Sequence, residues 1–182
     1  MRILIRLLNG LCLSILLACF GCSVSYDEEM KLAQEAMDEA KTVRAEELAS
    51  ADWEHAMESW NEAQTAASNN QASARTLFMN AKSRFNKAYE IANARKEHLA
   101  KEVGDMQLTI ATNYARLKSA AEIRRLSSKI KKSLEESFEK IDTAISTLNS
   151  QVSNEDYVSA TTTAQDTLQQ IYDAEQLMEG KK

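Results

Sequence analysis

Residues 78–92 read Phe78-Met79-Asn80-Ala81-Lys82-Ser83-Arg84-Phe85-Asn86-Lys87-Ala88-Tyr89-Glu90-Ile91-Ala92, and their spacing decides the fold class. Phe78, Ala81, Phe85, Ala88 and Ala92 recur at intervals of three and four, the spacing at which side chains share one face of a helix. The pattern continues through Leu99, Val103, Met106, Ile110 and Leu117. It resumes with Ile123, Leu126, Ile130, Leu134, Phe138, Ile141, Ile145, Leu148 and Val152. A near-heptad seam of this length predicts long helices packed at shallow angles, as in a coiled coil. Unbroken, residues 71–151 would form a helix about 120 Å long at about 1.5 Å per residue. Gly104-Asp105 and Ser119 to Glu122 are the candidate interruptions, the second because the seam shifts register there.

Composition agrees. The 182-residue chain has no proline, and of its four glycines only Gly104 lies inside the body. Both residue types end helices, so their scarcity favours long ones. No alternating strand pattern follows residue 25. Ser25-Tyr26-Asp27-Glu28 has capping-box spacing and predicts a first helix over Asp27–Ala49. A second begins at Asp52, with Trp53, Ala56, Trp60, Ala63 and Ala67 along one face, and Ser68-Asn69-Asn70 reads as a turn. Ser153-Asn154-Glu155-Asp156 repeats the capping-box spacing ahead of a last helix with Tyr157, Ala160, Ala164, Leu168, Ile171 and Met178 inward. The expectation is an all-α fold, an elongated antiparallel helical bundle or coiled coil of about four to five long helices. A bundle is expected over residues 27–103, and a long-helix extension with a folded-back C-terminal helix over residues 104–179.

The N-terminus reads differently. Arg2 and Arg6 supply a positive start, and Leu7 to Phe20 is apolar apart from Asn9 and Ser14. The stretch is shorter than the about 20 residues that span a bilayer, and it fits the apolar region of a signal peptide over residues 1–18. Ile15-Leu16-Leu17-Ala18-Cys19 resembles a lipobox, in which a small residue precedes the cysteine that becomes the mature N-terminus. The resemblance implies a diacylglyceryl group on the Cys19 sulfur and a lipidated tether over residues 19–26. Cys22, preceded by Gly21, is the alternative acceptor, with Phe20 and Cys19 less suitable upstream. Cys12, Cys19 and Cys22 are all N-terminal, so no disulfide framework holds the body.

Charge is segregated. Residues 26–62 carry a net −9, residues 71–132 a net +9 and residues 133–182 a net −7. A basic block invites an anionic partner such as lipid A or peptidoglycan carboxylates. Self-pairing is the preferred reading. Folding back at residues 69–70 brings Glu58, Glu54 and Asp52 alongside Lys82, Arg84 and Lys87. Folding back at residues 151–153 brings Asp173, Glu175 and Glu179 alongside Lys131, Lys129 and Arg125. Nucleic acid is not expected on an exported chain without aromatic stacking platforms.

No phosphate-binding loop, zinc-protease spacing or nucleophile elbow is present. His55 is flanked by Glu54, Glu58 and Glu62 on one helix, which reads as a solvated acidic face, because metal ligands converge from several elements. No metal, cofactor or catalytic residue is therefore expected. Trp53 and Trp60, seven apart, are either core or a partner-contact stripe. Trp53-x-x-Ala56-x-x-x-Trp60, Phe85-x-x-Ala88-x-x-x-Ala92 and Tyr157-x-x-Ala160-x-x-x-Ala164 share one spacing, similar to the second helix of tetratricopeptide repeats but without their 34-residue period.

With Ala33-Gln34-Glu35-Ala36, Ala51-Asp52-Trp53-Glu54-His55-Ala56 and Ala88-Tyr89-Glu90-Ile91-Ala92, residues 30–102 resemble a family of alanine-rich helical bacterial lipoproteins of unknown function. That resemblance implies an envelope lipoprotein with no assigned reaction. Known sorting rules, by which neither Phe20 nor Ser23 in second position retains a lipoprotein at the inner membrane, place the anchor in the outer membrane, facing the periplasm. The expected role is a non-catalytic scaffold or adaptor working through helix–helix contacts, with an envelope protein or a second copy as partner. Trp53, Trp60, Arg124, Arg125 and Lys129 are the candidate contact residues. A structural tether to peptidoglycan, a self-assembling coiled coil and a periplasmic holdase chaperone are the alternatives.

Overall fold

Phe78 and Phe85, with Ala81, Ala88 and Ala92 of the same stripe, have no exposed surface, so the stripe that decides the fold class is a packed face. A computed structural model describes residues 25–180. The segment read as a signal peptide, Cys19 and Cys22 lie outside the described residues. Among the described residues the chain is all-helical, without strands. Its six helices are α1 (Asp27–Thr42), α2 (Ala45–Leu48), α3 (Ser50–Ser68), α4 (Ala74–Ile123), α5 (Ser128–Ser153) and α6 (Tyr157–Met178). None is long and apolar enough to cross a membrane.

The first predicted helix is broken. α1 stops at Thr42, Arg44 takes a left-handed conformation (φ 58°), and one turn of helix, α2, precedes Ala49. The reason is packing. Ala33, Ala36, Met37 and Ala40 form the buried face of α1. In an unbroken helix Ala45 and Ala49 would point about 120° and 160° away from Ala33. With the break, Ala45, Leu48 and Ala49 are all buried.

Neither capping box forms. Tyr26 occupies the N-cap of α1 without a side-chain cap bond, and the Ser25 hydroxyl donates to Asp27 instead (3.4 Å). At the last helix Asp156 is the N-cap, accepting from the Ser159 amide at 3.5 Å, while Ser153 ends α5 and bonds back to the Asn149 carbonyl. The turn after α3 is where the sequence places it, with Asn70 at φ 53°. Asparagine enters that region at lower cost than most residues.

The chain divides into two units, one ending at Glu90 and the other beginning at Ile91. In the first, the Trp60 and Phe78 rings meet edge to face at 5.3 Å, and those of Trp53 and Phe85 pack tilted at 5.2 Å. The Tyr26 hydroxyl donates to the Ala67 carbonyl at 2.8 Å, which ties the start of α1 to the end of α3. Lys87 pairs with Asp52 (2.7 Å) and Arg75 with Glu29 (2.9 Å). Along α3 and the first part of α4, residues 52, 53 and 60 meet residues 87, 85 and 78, so the two run in opposite directions.

In the second unit three heptad rows converge. Val103, Ile110 and Leu117 come from α4, Leu134, Ile141 and Leu148 from α5, and Ala160, Ala164, Ile171, Ala174 and Met178 from α6, whose Thr167 is buried on the same face. Gln107 donates to Asn149 (3.0 Å), and Arg116 pairs with Glu175 (2.8 Å).

Gly104 does not interrupt α4. It is exposed within the helix, and a Cβ placed there would meet nothing within 4 Å. Gly104→Ala therefore adds helix propensity without a clash and is expected to raise stability by about 0.5–1 kcal/mol, read as a higher urea midpoint with unchanged slope.

Candidate functional site

The break in the long seam lies between α4 and α5, at residues 124–127. Tyr114 and Leu117 are buried near the end of α4. Ile123 is nine residues beyond Tyr114, or two and a half turns, which puts it on the opposite face. It is 83% exposed, so the seam position assigned to it from sequence is corrected. The chain re-enters helix through Ser127, whose hydroxyl oxygen accepts from the Ile130 amide at 3.4 Å. This cap restarts the heptad row of α5.

Inside the elbow, Ala121, Leu126, Leu134 and Phe138 line a recess of about 290 Å³, with Lys118, Glu122, Lys131 and Glu135 also bordering it. Its framework is internally bonded. The Tyr114 hydroxyl donates to the Phe138 carbonyl at 3.2 Å, and the two rings meet edge to face at 5.8 Å. The Lys118 ammonium sits 4.1 Å from the centre of the Tyr114 ring and 3.5 Å from the Asp142 carboxylate. Burial pushes the Tyr114 phenol above its ordinary value, and interaction with that phenol raises the Lys118 ammonium in turn. Tyr114 is therefore neutral and Lys118 cationic across physiological pH, and both are occupied in holding α4 to α5.

The cations of the elbow are different. Arg124, Arg125, Lys129 and Lys132, with Lys131 at the rim of the recess, are all exposed. Among the described residues none of the five has an acidic partner at ion-pair distance. The self-pairing expected from sequence thus fails here. Glu175, expected beside Lys129, is turned toward α4 and meets Arg116. In the first unit one of the three expected pairs forms, Asp52 on Lys87, while Arg84 donates to the His55 carbonyl (3.4 Å) and Glu58 lies beside His55.

The two tryptophans do not form an exposed stripe. Trp60 is buried against Phe78, and Trp53 is half-buried on Phe85, because the face they share is the one α3 turns to α4. His55 lies 3.3 Å from Glu58 in the open, and among the described residues no three potential metal ligands converge. Of the candidate contact residues, Arg124, Arg125 and Lys129 are exposed in and just after the α4–α5 connection, and Trp53 and Trp60 belong to a core.

Sequence reasoning missed the free state of these cations and the exposure of Ile123, although a signal was present. The heptad row Val103, Ile110, Leu117 extended by seven lands on Arg124, so the row ends there and Ile123 falls outside it. Comparison with protein-family models finds no match, and no curated protein or solved structure shows significant similarity to the chain.

Proposed function

We propose that this protein is a lipid-anchored bacterial envelope lipoprotein, held by an acylated Cys19 in the outer membrane and facing the periplasm. In this reading it serves as a non-catalytic scaffold or adaptor, its helices arranged as antiparallel bundles that offer surface rather than a reaction centre. The observation that carries it is the N-terminal order of residues: a basic start, a short apolar run and Ala18-Cys19, ahead of an all-helical body. A helical body with heptad cores and few loops suits partner capture through helix faces. Because Trp60 is in the core, the Trp53–Trp60 face is not the contact surface in this reading. The resemblance in spacing of residues 30–102 to alanine-rich helical lipoproteins is in keeping with it.

The anchor is tested by labelled palmitate in growing cells, followed by mass spectrometry of the N-terminal peptide. Cys19→Ala is expected to abolish incorporation and Cys22→Ala to leave it intact, since stable anchoring takes two or more acyl chains on one terminus. Loss on Cys22→Ala alone would move the anchor three residues, and an unlabelled wild type would remove the lipoprotein reading. The adaptor role is tested by crosslinking in intact cells. A reproducible envelope protein supports it, whereas self-links or murein fragments alone would replace it with a tether.

A further inference from the structure

We propose that the outer side of the α4–α5 elbow is a second membrane contact, independent of the acyl anchor, that docks on an anionic phospholipid surface. Three observations converge on it. Residues 124–132 hold five cations and no acid, in a chain whose net charge is −5. All five side chains are exposed and without ion-pair partners among the described residues. Ile123, immediately before them, is 83% exposed at the end of α4.

An apolar side chain projecting from a helix end, with arginines and lysines behind it, matches the layering of a bilayer surface. The isoleucine enters the boundary between headgroups and acyl chains, and the long cationic stems reach back to phosphate. An acidic peptide fits less well. A peptide needs a groove, and the recess beside the elbow is bordered by Glu122 and Glu135, which would repel acidic residues. Residues 124–132 carry no such acid. Each cation near an anionic surface strengthens binding by about fivefold, so removing three weakens docking on the order of a hundredfold.

The test uses the full chain reconstituted into vesicles, with a benzophenone amino acid in place of Ile123. Leu108 serves as the control position, because it is 71% exposed on the same helix. The result expected is a lipid adduct at position 123 in vesicles of phosphatidylcholine mixed with an equal part of phosphatidylglycerol. The adduct should be several-fold weaker in phosphatidylcholine alone and should fall with added salt. It should disappear in the triple variant Arg124→Gln, Arg125→Gln, Lys129→Gln. The salt series needs no variant, so it stands even if the triple substitution disturbs folding.

Equal adducts at positions 123 and 108, or equal yields in the two vesicle types, would overturn the proposal. So would a protein adduct in place of lipid when the same label is used in cells, which would assign the elbow to a protein partner. An unlabelled Cys19 would overturn the anchor and leave a positive docking result standing. A failed docking would leave the anchor standing.

Discussion

Phe78→Ala is expected to destabilise the first unit by about 3–5 kcal/mol, a large fraction of what holds a domain of this size together. The ring has no exposed surface and is gripped by Trp60 at 5.3 Å and Tyr26 at 6.0 Å. The core cluster it belongs to is largely alanine, including Ala63, Ala66, Ala74 and Ala81. Alanines have no rotamers with which to fill a gap, so the cavity left by the ring stays open and the cost falls toward the upper end. The lost edge-to-face contact with Trp60 adds to it. Trp53 and Trp60 are the only tryptophans in the chain and both belong to this unit, so urea unfolding followed by tryptophan fluorescence reads it selectively. With a slope of about 1–3 kcal/mol per molar urea, the midpoint should drop by more than about 1 M. A loss under about 1 kcal/mol would mean that the alanine-rich core closes over the vacancy, and that the rings are not what spaces α3 from α4.

The helical class was legible because it rests on a repeated signal. Val103, Ile110 and Leu117, and again Leu134, Ile141 and Leu148, are rows of large apolar residues seven apart, and every one is buried. The ends of helices were less legible, because they are decided by a single residue's surroundings. Arg44 breaks the first helix without a glycine or proline to announce it, since burial of Ala45, Leu48 and Ala49 is what the break achieves. Ser127 caps α5 without the glutamate that would complete a capping box, and two serines placed in full boxes cap nothing. Asn70 is the counter-example: its side chain suits the left-handed turn it occupies, and the turn was readable.

Charge pairing followed the same division. In the first unit one turn fixes the register of α3 against α4, and Asp52 reaches Lys87 as the spacing implies. In the second unit α6 has two neighbours, and a sequence does not say which one a given carboxylate will face. Glu175 faces α4 and takes Arg116, which leaves the basic end of the elbow without the partner expected for it. The candidate surface was therefore visible in composition as a basic block. Its availability was not, because that depends on which way one glutamate turns.

Ile141→Ala should cost the second unit about 2–5 kcal/mol, while Ile123→Ala should cost close to nothing. The two residues share a side chain, and both appear in the same seam when the sequence is read by spacing. Ile141 is fully buried at the centre of the α5 row, among Leu134, Leu148 and the inward residues of α4 and α6. Its removal leaves a cavity between three helices whose backbones are fixed by their other layers, so little relaxation is available. Ile123 has already left the row, and in the folded state it keeps most of the exposure it has in the unfolded chain, so truncation there removes almost no buried surface. Guanidinium or urea unfolding followed by far-ultraviolet circular dichroism separates the two outcomes. Comparable losses at both positions would mean that Ile123 is covered in the folded protein, by its own elbow or by a second copy. That result would also remove the exposed apolar tip on which membrane docking depends. A near-silent Ile123→Ala beside a costly Ile141→Ala would show that the chain carries a large apolar side chain at its basic elbow for no benefit to its own fold. The reason for its presence would then lie in what the elbow touches.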